Sequence, residues 1–346
     1  MRIRVNAKKK IETRKKIVYL FGAGATHAEL VNLYPKKVGD ANFLDKNDLL
    51  IAGVSKRVCR NAKKTRVFSK QIRNLLSPVG LTNIELFISL IEKNVIRSDE
   101  IIEGLTKRIR RDISDRLTET RLSKFYLHRS LFEFHQKNNR EELYGIISLN
   151  YDRVVDDAYK DILAVEPNYC LSLEDTNAVP LLKLHGGFDL EYRGKKLPIL
   201  TPGINKNYLE LPYNFIWGRA LELLIDCDTL RVIGCSLSQN DMGLVDLLFK
   251  AHLARKEPYT MQMITFDPQD NRIKENYGFL PKIEKALEIE GIEIDGEIEG
   301  GLISDQTIRD PTTGSNPFKI WLKAKIQRSM KKDEIRKTKY VRKVLE

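Results

Sequence analysis

A chain of 346 residues with 42% hydrophobic residues and no low-complexity tract can bury a large core, which excludes wholesale disorder and allows one elaborated domain or two. The net charge of +12 would suit a nucleic-acid binder, but residues 1–16 hold eight Lys/Arg against Glu12 and residues 319–346 hold eleven against three acids, leaving a slightly acidic body between them. That distribution argues against a DNA-reading core, and no run of about 18 apolar residues offers a membrane span.

The basic start and the apolar run after it superficially resemble a signal peptide, but the run is short, follows sixteen mostly polar residues, and is expected to be a core strand. Cys59, Cys170, Cys227 and Cys235 have no CxxC spacing, which argues against a zinc site and reads as free thiols in a reducing cytoplasm.

Ile17 to Phe21 is a β-branched and aromatic run of the kind a buried parallel strand shows, and Gly22-Ala23-Gly24-Ala25-Thr26 ends it abruptly before a helix. Glycines let the backbone turn sharply and approach a ligand, and the first N–H groups of a helix lack internal acceptors, so this turn predicts either a phosphate cradle or a plain βα turn. His27, alone on that helix, reads as a surface residue. Val31 to Leu50 is irregular and is expected to lie over the mouth of the turn, as a lid or a simple connection.

From about 52 to 140 the pattern is helical and predicts an insertion between the first two strands of a nucleotide domain. Thr82 to Glu85 has the spacing of a capping box, with Ile84, Phe87, Ile88 and Ile91 recurring behind it. His128 and His135 share a later helix and read as surface or satisfied histidines rather than metal ligands.

Alternation of strands and helices resumes at Tyr144 and predicts an α/β, Rossmann-like, doubly wound and mostly parallel sheet. Strands are expected at 144–149, 179–184, 229–234 and 259–266, the last ending at Asp267-Pro268, with helices at 152–161, 214–225 and 241–255. Ile289 to Gly301 reads as a hairpin or loop, and Asn316-Pro317 opens a last helix. The expected organisation is a basic arm over 1–16, a domain over 17–310 carrying the insertion, and a helix with a basic tail over 311–346.

Four expected strand ends carry polar or glycine clusters: Gly22 to Thr26, Leu149-Asn150-Tyr151-Asp152, Leu184-His185-Gly186, and Gly234-Cys235-Ser236 followed by Asp241. A parallel sheet brings such ends to one edge, where ligands bind. Asn150 offers a polar group at that edge without adding a buried charge, and His185 suits a base because imidazole titrates near neutrality. Asp152 either orients neighbouring groups or caps the helix it begins, and Asp241 has the same capping explanation.

In these motifs and their order the chain resembles the sirtuin superfamily over roughly residues 16 to 270, and most of all the sirtuin-like domains of bacterial anti-phage defence proteins. The interval that holds a four-cysteine zinc module in deacylating sirtuins contains only Cys227 here, and the Phe-Arg motif of their cofactor loop has no match in Thr26 to Phe43. The resemblance therefore implies an NAD glycohydrolase that needs no zinc, forming ADP-ribose or its cyclic form in an NAD-depleting defence. A sensor that only binds NAD or ADP-ribose, and a zinc-free deacylase, are the alternatives. It further implies catalytic roles for Asn150, His185 and Asp152. Backbone contacts from Gly22, Ala23, Gly24 and Ala25 to the pyrophosphate follow from it, and dinucleotide contacts at Thr26, Gly234, Ser236 and Asp241. It also implies a homo-oligomer and a HerA-type ATPase or argonaute-like partner, for which, or for nucleic acid, the basic termini could serve as docking arms.

Overall fold

The computed structural model describes residues 14–33, 48–64, 83–95, 98–118, 127–172, 178–197, 199–200, 208–237, 241–255, 260–264 and 288–291. Residues 1–13 of the basic arm, most of the expected lid, Asp267-Pro268, the helix at Asn316 and the basic tail lie outside them.

β1 (Lys15–Phe21) is the centre of the molecule. Its residues from Ile17 on are buried whichever way they point, because helices cover both faces of a parallel sheet. Val18 and Leu20 face one layer, and Ile17, Tyr19 and Phe21 face the other. β1 pairs in parallel with β2 (Glu141–Ser148), and β2 with the short β3 (Leu181–Lys183). A two-residue antiparallel ribbon, β4 (Glu191–Tyr192) and β5 (Lys195–Lys196), stands apart. On the other side of β1 come β6 (Thr229–Ile233), β7 (Thr260–Ile264) and β8 (Glu288–Gly291).

The order β3-β2-β1-β6-β7-β8, with every pairing parallel, is that of a Rossmann-like doubly wound sheet whose winding reverses between β1 and β6. One face carries α1 (Ala23–Leu33) and, further along the chain, two helices after residue 126; the opposite face carries two helices after residue 212.

Two boundaries differ from expectation. Lys15 and Lys16 belong to β1 rather than to a free arm, because they lie opposite Glu141 and Glu142 and Lys16 Nζ sits 4.5 Å from the centre of the Tyr144 ring. The acidic segment expected as a hairpin or loop begins as β8, with Ile289 opposite Met261; an edge strand needs only one ladder and tolerates a charged sequence.

The expected insertion divides in two. α2 (Ile51–Lys64), α3 (Ile84–Asn94) and α4 (Asp99–Thr118) enclose a core of their own, built from Val58, Cys59, Ile84, Phe87, Ile88, Ile91, Leu105 and Ile109. α5 (Leu127–Lys137) instead lies on the sheet beside α6 (Val154–Leu163), with Leu131, Phe132 and Phe134 packed among Tyr19, Phe21 and Tyr159. A small cluster of Leu30, Leu49, Leu117 and Val154 joins the helical module to the sheet domain.

α7 (Tyr213–Asp226) and α8 (Met242–Ala254) cover the opposite face. Arg255 donates from Nη1 to Leu224 O at 2.8 Å and also to Ile225 O, which gives a charged donor to carbonyls at the end of α7. Among the described residues, no helix is long and apolar enough to cross a membrane.

His27, expected at the surface, is buried, and His128 and His135 are buried with bonded partners, the second of their two expected readings. His27 Nδ1 accepts from Leu49 N at 3.2 Å and lies 3.5 Å from Asp48 Oδ1, so it fixes the approach to α2. His128 pairs with Glu29 of α1, whose carboxylate takes both its backbone N–H at 2.7 Å and its Nδ1 at 2.8 Å. That partner stands 99 residues away in sequence, beyond the reach of any spacing rule.

Candidate functional site

At the carboxyl ends of β1, β2, β3 and β6 lies a cavity of about 410 Å³, a size typical of small-molecule sites. The sheet side supplies Gly22, Ala23, Gly24, Thr26, Asn150, Tyr151, Asp152, His185, Gly234, Ser236 and Asp241. The helical module supplies an apolar wall, including Leu49, Leu50, Ile51, Val54, Ile109 and Ile113, together with Glu85. All four expected clusters thus reach one cavity, at the point where the winding of the sheet reverses.

The glycines have a reason that sequence reading missed. A Cβ on Gly22 would stand 2.6 Å from Gly234 O, one on Gly24 2.7 Å from the same atom, and one on Gly234 2.2 Å from Ala25 N. Gly234 also has a left-handed φ of 63°. The loops after β1 and β6 therefore touch through bare backbone, with Gly22 N donating to Ile233 O at 3.0 Å and Gly24 N to Gly234 O at 2.9 Å.

This corrects the expectation that four successive N–H groups face a phosphate. Gly22 and Gly24 spend theirs on the β6 loop, and Ala25 N donates to Gly22 O at 2.9 Å while its side chain is buried in the core. Ala23 keeps an N–H that no protein acceptor among the described residues takes, at the first position of α1. The start of a helix still favours an anion there.

Asn150 follows β2 and is buried. Its Nδ2 donates to Gly22 O and to Thr26 Oγ1, both at 3.0 Å, which uses both amide hydrogens. What Asn150 can offer the cavity is Oδ1, an acceptor. Thr26 in turn donates from Oγ1 to Asp152 Oδ2 at 3.0 Å, so a chain of bonds fixes which way the amide faces.

Asp152 both orients and caps. Its Oδ2 takes the Thr26 hydroxyl and its Oδ1 accepts from Val154 N at 3.0 Å at the start of α6. Burial raises its pKa, partly countered by the Lys183 ammonium nearby, the Val154 N–H and the Thr26 hydroxyl. Lys183, itself buried, donates to the backbone oxygen of Asp152 and to Asp156 Oδ2 at 2.8 Å. Both carboxylate oxygens of Asp152 are thus anchored by protein donors.

His185 follows β3 in a tight turn, where Gly186 has φ 76° and donates its N–H to Lys183 O at 2.9 Å. The His185 Nε2 lies 3.0 Å from Asp241 Oδ2, and both side chains are buried. Asp241 also caps α8, accepting from Leu244 N with Oδ1 at 3.3 Å. Its two carboxylate oxygens thus meet the histidine and the start of the helix, at the wall of the cavity. Ser236 is exposed and Thr26 buried, and both line the cavity.

Tyr151 and Glu85 were not singled out in the sequence. Tyr151 donates its hydroxyl to Glu85 Oε1 at 2.9 Å, and its ring centre lies 6.3 Å from that of His185. Burial first, and then the Glu85 carboxylate, push the Tyr151 pKa well above its ordinary value. At the start of α3, Asn83 Oδ1 accepts from Leu86 N at 3.0 Å, while Thr82 of the expected capping box lies outside the described residues. Beside this contact, Arg110 of α4 forms an ion pair with Asp189 at 2.6 Å.

No protein-family model matches the chain, and no curated protein does. Among solved structures, one described as "Structural Basis for the Mechanism and Regulation of Sir2 Enzymes" aligns over 94% of this chain and 95% of its own, at 12% identity and a TM-score of 0.33. So distant a likeness adds nothing to the strand order and geometry above.

Proposed function

We propose that the cavity binds NAD and cleaves the bond between nicotinamide and ribose. The observation that carries this reading is the meeting of Asn150 and His185, from different strand ends, in one cavity beside the Gly22–Thr26 turn at the switch point of the sheet. The dinucleotide lies across β1 and β6, with the pyrophosphate near the start of α1 and the Ala23 N–H, and the adenosine side near Ser236.

The reaction consumes water and yields nicotinamide, ADP-ribose and a proton. As the glycosidic bond lengthens, positive charge grows on the ribose carbon. Asn150 Oδ1 accepts a hydrogen bond from a ribose hydroxyl or from the attacking water, holding it without adding a net charge. His185 takes the proton released when that oxygen bonds to carbon. The apolar wall from the helical module limits bulk water at the reacting centre. Attack by the adenine ring instead of water gives the cyclic product.

The wider setting rests on the sequence resemblance alone: a cytoplasmic, oligomeric effector that depletes NAD in anti-phage defence, triggered by a separate ATPase or argonaute-like protein. Chromatography of NAD incubated with the purified protein, with and without such partners, tests the chemistry. Nicotinamide release is expected, with a loss on the order of 10²-fold or more in Asn150→Ala and His185→Ala and unchanged thermal unfolding. Undiminished turnover in both variants would refute the assignment. Release that requires an acyl-lysine peptide would point to deacylation instead.

A further inference from the structure

The pairing of His185 with Asp241 joins residues 56 positions apart, from β3 and from the start of α8, which lie on opposite sides of β1 and β2. We propose that Asp241 is the positioning residue for His185. This rests on the reading of His185 as the base. The carboxylate oxygen 3.0 Å from Nε2 accepts the Nε2–H, which fixes the tautomer. When the imidazole takes up a proton, the same carboxylate stabilises the cation that forms, in a buried setting where the pair is little screened.

The arrangement holds the base from two directions. Asp241 cannot rotate freely, because its other oxygen accepts from Leu244 N and so belongs to the first turn of α8. Gly186, with its left-handed φ, fixes the backbone on the histidine side. Near the ring are Asp241, the cap of α8, and Tyr151, whose hydroxyl is bonded to Glu85 of α3; Asp152 lines the same cavity. Asp241 Oδ2 lies 3.0 Å from the ring nitrogen Nε2, whereas Tyr151 stands 6.3 Å from the ring between centres and its hydroxyl is engaged by Glu85.

Two substitutions separate the helix cap from the histidine contact. Asp241→Asn keeps an oxygen for Leu244 N but removes the charge beside the imidazole, and Asp241→Ser keeps a capping hydroxyl too short to reach His185. The full chain, labelled with ¹⁵N, reports the His185 tautomer directly, with His185→Gln assigning the signal. The expected result is an Nε2–H tautomer in the unaltered protein that gives way to the other form in both Asp241 variants. In NAD turnover, kcat falls on the order of 10²-fold or more, KM stays within about twofold, and the acid limb of the rate profile moves to lower pH. An Nδ1–H tautomer in the unaltered protein overturns the proposal, whether or not the variants fold. So does an unchanged tautomer and pH limb in a folded Asp241→Ser protein. If the unaltered protein releases no nicotinamide, the functional reading fails while the tautomer measurement still decides the role of Asp241.

Discussion

Two buried polar clusters occupy the same sheet and differ in what they leave over. In the middle, Tyr19, Arg231 and Gln262 lie side by side on β1, β6 and β7. Arg231 spends its guanidinium on Glu141 at 2.6 and 2.8 Å, on Tyr19 at 3.1 Å and on Gln262 at 2.9 Å, and the Tyr19 hydroxyl meets His135 Nε2 at 2.8 Å. At the carboxyl edge, Asn150, Thr26, Asp152, His185 and Asp241 are equally buried, yet they line a cavity and Asn150 keeps an acceptor for it. The first cluster faces only protein. The second is half protein and half site, so burial and charge do not distinguish structure from chemistry, but an open side does.

The largest effect that tests this contrast is on stability. Arg231→Met leaves Glu141 buried without its cation and is expected to cost about 3–5 kcal/mol in urea unfolding, while adding Glu141→Leu restores most of it. A small loss in the single variant would show that water reaches the cluster. Next comes the junction of the two loops: Gly234→Ala forces a side chain into a left-handed turn and onto Ala25 N, with an expected cost of about 2 kcal/mol or more and weakened NAD binding by calorimetry. The smallest effect is the pH response of His135. Burial, and then Arg231, hold its pKa well below 6.5, so the fold refuses a proton that the unfolded chain accepts. Its contribution is complete above about pH 6.5 and declines below it, by at most about 1.4 kcal/mol per pH unit. His135→Gln should flatten that decline in unfolding measured between pH 7 and 5, and an unchanged slope would assign it to other groups.

Much of the sheet was legible because its strands are short apolar runs closed by glycine or polar clusters, as Ile17 to Phe21 and Thr229 to Ile233 show. Strand ends in a parallel sheet share an edge by topology, so the convergence of Asn150 and His185 could be read before any distance was known. The individual bonds could not. Nothing in local pattern links Glu85 to Tyr151 or Asp241 to His185, since those contacts depend on where a helix module and a helix start come to rest. The glycines were legible as special but not for the right reason: each loop read alone suggested a ligand, and only the pair reveals that they make room for one another. β8 was missed because two of its four residues are glutamate and one is glycine.

The hydrogen bond from Tyr151 to Glu85 of α3 has a thermodynamic consequence. It fastens the helical module to Tyr151, a wall of the cavity. Seating of the module and occupancy of the cavity thereby share a component. Any molecule that changes the grip on α3 through Tyr151 must change the affinity of whatever engages α2–α4 by the same factor, in both directions.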